Sequence, residues 1–349
     1  MKKIILLDYF RAFAAIYVVI HHFFESTLIG SDFFLLEILK QGQAAVILFF
    51  LLSGFVIHYN YKNKASSVSY KNYFIKRVRR IYPIYLFALI LPYVFWVISD
   101  QSTEVNPTFI NFFGGVFMLQ DLGRYPGVII KTFYNSPLWS ISYEWFFYLF
   151  YLPLLKFKPN YSILLKGLLI SLLGLITFYL INNKISMTAV YFIIWIIGAD
   201  VAECFLKYSK YPFKFFFKHI LILTFFILVF ICQVNFDKKI IFGIYPFIQS
   251  YHFFVTLFFI ICLYFLQKLN YLSNIRETKS ATFFSNISYS LYAIHYPICI
   301  SFSQIFFKQE IVGLRAFVFG LMITIVISYL LEGPFQKLIN KKTNKYLSD

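Results

Sequence analysis

Apolar residues along this chain come in long blocks separated by short polar stretches. The blocks fall at about 4–25, 43–61, 81–99, 108–119, 139–157, 163–182, 189–206, 219–236, 245–267, 283–306 and 311–332. At 1.5 Å per residue, about 20 apolar residues cross the ~30 Å hydrocarbon core of a bilayer as a helix. All but the block 108–119 come near that length. Charge decides its status. If it does not cross, one side of the membrane receives Lys2/Lys3, the cluster Lys62 to Arg80, Lys156/Lys158, Lys207/Lys210/Lys214/Lys218, Lys268/Arg276/Lys279 and Lys337/Lys341/Lys342/Lys345. The other side keeps Lys40, Arg124, Lys131, Lys184, Lys238, Lys239 and Lys308, mixed with Glu25, Asp32, Glu37, Asp100, Glu104, Asp121, Asp237 and Glu310. Basic loops stay cytoplasmic, and a crossing at 108–119 would destroy this asymmetry. The pattern predicts an all-α integral membrane protein, a bundle of about ten transmembrane helices with both termini cytoplasmic. It also predicts an outer segment over about 100–138 with a re-entrant or interfacial piece, suited by Pro107, Gly114-Gly115, Pro126-Gly127 and Pro137.

Composition supports the membrane reading and removes other classes. The chain has 349 residues, 60% of them hydrophobic and 13% charged, with mean hydropathy +0.71. The formal net charge of +17 would point to nucleic acid in a soluble protein; here cytoplasmic loops account for it, and no nucleic-acid partner is expected. Cys204, Cys232, Cys262 and Cys299 lie inside apolar runs without pairing or metal spacing, so no metal is expected. The start, Met1-Lys2-Lys3 and an apolar run, mimics a signal peptide. It lacks a small-x-small cleavage site and is read as the first span. No loop is long enough for a second globular unit, so residues 1–349 are expected to form one transmembrane domain without an additional soluble domain.

The first span carries charges that a plain anchor would not. It contains Asp8, Arg11 and His22. His22 follows Arg11 by eleven positions. At about 100° per residue that is three turns plus roughly 20°, so both side chains share a face about 16 Å apart, with Asp8 one turn below Arg11. An arginine at the centre of a span costs about 2.5–3.5 kcal/mol on insertion scales and faces a protein interior or a wet cavity.

Four further segments carry candidate chemistry. Ser53-Gly54 interrupts an apolar helix and permits close backbone approach, which packing alone would also explain. Lys76-Arg77-Val78-Arg79-Arg80 stands at the cytoplasmic mouth of the third span, either as a positive-inside stop or as an anion site in which Arg77 and Arg80 grip phosphate. Glu144 lies about five residues inside the outer end of its helix, and His22 about three inside the outer end of the first. Similar depth would let the carboxylate orient the imidazole; the alternative is a structural ion pair with Arg11 or another cation. The segment Ile287-Ser288-Tyr289-Ser290-Leu291-Tyr292-Ala293-Ile294-His295-Tyr296-Pro297 puts His295 near mid-membrane beside a kinking proline, where a satisfied structural histidine is the simplest reading. Glu332, at the inner end of the last span, reads as a helix-terminal group bonded to a neighbour.

In this order, the motifs resemble the membrane-bound acyltransferase-3 family of bacterial surface-glycan O-acyltransferases. The resemblance rests on Leu7-Asp8-Tyr9-Phe10-Arg11 through His22, Phe49-Phe50-Leu51-Leu52-Ser53-Gly54-Phe55, Arg77-Val78-Arg79-Arg80, Trp139-Ser140 to Glu144, Ser288-Tyr289 to His295-Tyr296-Pro297, and Glu332-Gly333-Pro334. The Arg-(ten residues)-His count selects His22 over His21. Tyr9 and Phe10 depart from the commoner Gly-Leu before the arginine, and Ala12 from a Gly after it. The resemblance implies transfer of an acyl group, usually acetyl, from cytoplasmic acyl-coenzyme A to a hydroxyl of an extracytoplasmic glycan or lipid-linked saccharide, in the bacterial plasma (inner) membrane. It implies His22, Arg11 and Glu144 as the catalytic set, Arg77, Arg80, Ser53 and Gly54 around the acetyl-CoA donor, and Trp139, Tyr292 and His295 around the acceptor. The rival readings are a polytopic transporter or flippase, which would show broken helices or repeat symmetry, and a polymerase for lipid-linked glycans, which would not need Arg77 and Arg80.

Overall fold

The computed structural model describes residues 4–27, 41–64, 66–99, 108–120, 133–181, 183–234, 246–269, 271, 275–302, 305 and 313–347. These residues form helices α1 (Ile5–Thr27), α2 (Gly42–Tyr61), α3 (Tyr70–Ile98), α4 (Phe109–Val116), α5 (Leu138–Lys156) and α6 (Ile163–Ile181). They continue as α7 (Lys184–Tyr208), α8 (Phe213–Ile231), α9 (Pro246–Lys268), α10 (Lys279–Tyr296), α11 (Leu314–Leu330) and α12 (Gln336–Thr343). No strand occurs among the described residues. The candidate outer stretches 100–107 and 121–132, and Lys40, Lys131, Lys238, Lys239 and Lys308, lie outside the described residues.

Where they are described, the long apolar blocks are helical, but only eight helices among the described residues are long and apolar enough by themselves to cross a membrane. The two long helices missing from that set are α5 and α10. Their polar residues, not their length, set them apart: Ser140, Ser142 and Glu144 on α5, and Ser285, Ser288 and Ser290 on α10. Such helices sit in a membrane only where their polar side faces protein. The block 108–119 contains α4, eight residues long and so about 12 Å. Gly114 and Gly115 are buried, and the Gly115 and Val116 carbonyls accept from Tyr85 and Tyr82, both at 2.6 Å. Phe109, Ile110 and Phe117 face outward.

One helix starts earlier than its apolar run. α3 begins at Tyr70, eleven residues before the block at 81, capped by the Ser69 side chain on the Asn72 N–H at 3.1 Å. At 29 residues it is about 43 Å long, so Lys76 to Arg80 belong to the helix itself. Another element starts deeper than expected. Asn135 just before α5 is buried, and its amide donates to the Ala88 carbonyl of α3 at 3.0 Å and the Ala293 carbonyl of α10 at 3.1 Å. Ala88 lies well inside α3, and beyond Ala293 the chain stays helical through a π-helical segment, Pro297–Ser301, so α5 starts within the bundle. At its other end Lys166 donates to the Leu154 and Phe157 carbonyls, each at 2.8 Å, satisfying acceptors that a helix C-terminus leaves open.

α2 and α7 form the tightest crossing. A Cβ on Gly54 would stand 1.9 Å from the Trp195 carbonyl oxygen, and one on Gly198 would stand 2.1 Å from the Leu51 carbonyl oxygen. Reciprocal glycines let the two backbones touch, the packing favoured where lipid offers no hydrophobic drive between helices. α1 and α10 lie side by side and parallel: Tyr9 donates to the Arg276 carbonyl at 3.0 Å, and the Asp8 carboxylate accepts from Ser285 at 2.9 Å.

Candidate active site

A cavity of about 330 Å³ opens between α1, α2, α3, α5 and α10. Arg11, Ser53, Arg77, Arg80, Glu144 and Tyr292 line it, together with Tyr148, Tyr289 and apolar side chains such as Phe49 and Ile141. Six of the residues singled out from sequence therefore meet in one space.

Direction along its central hydrogen-bond chain follows from the chemistry of the end groups. Trp195 Nε1 can only donate, and it reaches Ser53 Oγ at 3.1 Å. Ser53 Oγ lies 2.7 Å from the Tyr148 hydroxyl, and the Tyr148 hydroxyl donates to Glu144 Oε1. A carboxylate only accepts, so donation runs from Trp195 to Ser53, from Ser53 to Tyr148 and from Tyr148 to Glu144. Arg11 and Arg77 flank this carboxylate electrostatically, and Arg11 also feels Asp8. Glu144 thus sits as the acidic member of an arginine-rich chamber.

The two arginines of the Arg-x-x-Arg element differ. Arg80 is ion-paired with Glu332 and lies 5.6 Å over the Tyr289 ring. Arg77 has no carboxylate within ion-pair distance among the described residues. Its guanidinium lies 5.6 Å over Tyr61, 5.8 Å over Tyr73 and 5.6 Å over Tyr148, and its Nε is buried without a hydrogen-bond partner. Its Nη2 donates only a long hydrogen bond, 3.5 Å, to the Tyr61 hydroxyl, so the tyrosine faces hold the cation and leave most of its N–H donors available. Arg77 also borders a second, more apolar cavity of about 330 Å³ with Tyr70, Lys71, Phe74 and Leu152.

Four of the singled-out residues stand apart from the main cavity. Gly54 belongs to the α2–α7 crossing. Trp139 packs edge-on against Phe50 and Tyr143, with ring centroids at 6.4 Å and 5.5 Å. His22 and His295 stack on each other, centroids 5.3 Å apart and planes 29° from parallel, with Tyr296 edge-on to His22 at 5.1 Å. This pairing corrects two depth assignments. His295 is level with His22, because α10 starts beside α1 and both rings stand roughly four and a half turns from their helix starts. Glu144 is bonded to Tyr148 and grouped with Arg11 and Arg77, not with His22, because α5 starts inside the bundle. Sequence reasoning passed over Trp195 and Tyr148. The Glu144–Tyr148 spacing of four on one helix was a usable signal for the second; nothing local marks Trp195.

Comparison with known proteins places these features in a family. The family model described as an acyltransferase domain, Acyl_transf_3, matches residues 4–333. The chain belongs to the acyltransferase-3 family. It is 30% identical over 145 residues to the acyltransferase MdmB of Streptomyces mycarofaciens, across 40% of this chain and 36% of that one. It is 28% identical over 163 residues to an O-acetyl transferase of Shigella phage Sf6, across 43% of this chain and 45% of that one. The matches thus span less than half the length of these curated relatives. No solved structure matches the chain.

Proposed function

We propose that this acyltransferase moves an acyl group, acetyl in the first instance, from cytoplasmic acetyl-CoA to a hydroxyl of a glycan or lipid-linked saccharide beyond the bacterial plasma membrane. The observation that carries the reading is the cavity with Arg77 at its wall, a half-buried cation with no carboxylate within ion-pair distance among the described residues. A phosphate-bearing donor supplies an anion for it. The end of the bundle bearing Arg77 also bears Lys62, Lys156 and Lys207, which favours the cytoplasmic side for donor entry. Arg80 acts with Arg77 at the coenzyme A phosphates, its charge shared with Glu332. The pantetheine arm runs past Ser53 into the cavity. Arg11 steadies the thioester end, and Glu144 balances the arginines around it.

Beyond Tyr292 the cavity wall meets the histidine pair, since the Tyr292 and His295 rings are 6.0 Å apart. His22 acts there on the acceptor hydroxyl, as general base or as a nucleophile that holds the acyl group on its imidazole. Ala14, Ala15 and Val18 beside the Arg11–His22 stripe leave room for a short acyl chain. The acetyl assignment draws support from the phage relative's name. The test is radiolabel transfer from acetyl-CoA to surface carbohydrate in inverted membrane vesicles. Wild type is expected to label glycan, and His22→Ala to lower labelling by about 100-fold or more. Equal labelling by folded His22→Ala protein would remove His22 from the chemistry.

A further inference from the structure

The parallel pair α1 and α10 carries one continuous polar stripe. On α10, Ser285, Ser288, Tyr289 and Tyr292 line the cavity at i, i+3, i+4 and i+7, and His295 follows one turn later. Its ring stacks on His22, and the ring of Tyr292, which contacts Phe49 at 5.7 Å, separates it from the cavity.

The protonation of His295 follows from its neighbours. Nδ1 lies 2.7 Å from the Tyr292 carbonyl oxygen and 3.2 Å from that of Leu291. Carbonyl oxygens only accept, so Nδ1 carries the proton. In the neutral ring Nε2 then holds a lone pair. His295 is wholly buried, and Nε2 has no hydrogen-bond partner. A histidine kept for structure alone would have both nitrogens satisfied, since an unpaired buried acceptor is costly. This one is fixed by Nδ1 to its own helix and leaves Nε2 open beside His22.

We infer that His295 Nε2 takes the proton of the acceptor's hydroxyl during acyl transfer. The inference rests on the acyl-transfer reading above. The hydroxyl donates to Nε2. As its oxygen bonds to the acyl carbon, the O–H bond breaks and the proton stays on His295, which becomes an imidazolium. The bond from the acyl carbon to the His22 nitrogen that carries it, the leaving group in the acyl-imidazole form of that reading, breaks with the electron pair on that nitrogen. The proton then passes from Nε2 to the leaving group, restoring neutral His295. His22 and His295 thus share the reaction rather than duplicate one another.

The test uses full-length protein in membranes, with acetyl-CoA as donor and native surface glycan as acceptor. His295→Asn keeps an N–H where Nδ1 stands and removes Nε2. The variant is expected to melt within a few degrees of wild type in detergent and to lose transfer by about 10²- to 10⁴-fold. If it does not accumulate, His295→Ala replaces it, and added imidazole is expected to restore transfer in proportion to its neutral form. Folded His295→Asn with transfer within about threefold of wild type and an unchanged pH profile overturns the inference, as does folded, inactive His295→Ala that imidazole does not restore. In either case wild-type transfer leaves the acyl-transfer reading standing. Wild-type membranes that transfer nothing would instead sink that reading and this inference with it.

Discussion

Arg77 and Arg80 lie three residues apart and look equivalent in sequence, yet their surroundings separate them. Arg80 has Glu332, while Arg77 has three tyrosine faces and one long hydrogen bond to the Tyr61 hydroxyl. Arg77→Gln should therefore act on donor binding: the KM for acetyl-CoA is expected to rise about 10- to 100-fold, the equivalent of a charged hydrogen bond worth ~1.5–3 kcal/mol, with a smaller change in kcat. Steady-state transfer at varied donor concentration checks this. Arg80→Gln should differ, leaving the Glu332 carboxylate buried without its cation and lowering the detergent melting temperature as well as activity. The donor chain into Glu144 makes a further demand. Tyr148→Phe removes a donor to the carboxylate and an acceptor for Ser53, so a loss of roughly 1–3 kcal/mol in stability is expected, read as a lower melting temperature. The motif residues themselves were legible in sequence; their partners were not, because Trp195 lies 142 residues from Ser53 and only packing brings them together.

At the scale of the helices, two contacts set the site's shape. The glycine crossing of α2 and α7 brings Trp195 within reach of Ser53, and a methyl on Gly54 would collide with backbone, which cannot move aside as a side-chain tip can. Gly54→Ala is expected to destabilise by at least the ~1–3 kcal/mol typical of overpacking, seen as reduced folded yield and an earlier melt. The second contact is Asn135, which ties the start of α5 to α3 and α10. Asn135→Ala loses two hydrogen bonds deep in the bundle and should lower transfer with donor KM and kcat affected together, since α5 carries Glu144 and Tyr148. Hydropathy located α5 and α10 as elements but could not grade them. A run of apolar residues says that a helix exists, whereas the depth at which it starts depends on bonds to other helices. For that reason Glu144 falls beside Arg11 rather than beside His22.

For the whole molecule, the basic ends of α2, α3, α5 and α7 gather at one end of the bundle, through contacts such as Lys156 to the Val68 carbonyl at 2.6 Å and Lys207 to Glu203 at 2.9 Å. If that end is cytoplasmic, a cysteine placed at Lys158 should resist a membrane-impermeant maleimide in intact cells and react in inverted vesicles. The exposed Cys232, just beyond α8 at the opposite end, should do the reverse. The reverse labelling pattern at both positions would invert the topology. By itself the sequence determined the all-helical membrane class, the shortness of the apolar block at 108–119, and the alignment of Arg11 and His22 on one face. Those properties depend on local hydropathy and on the fixed turn of the helix. Only the tertiary structure decided that Arg80 is ion-paired and Arg77 is not, that Glu144 joins the arginines, and that His22 stacks on His295. Each depends on where separate helices start relative to one another, and that offset is set by distant glycine contacts and buried hydrogen bonds that leave no periodic trace along the chain.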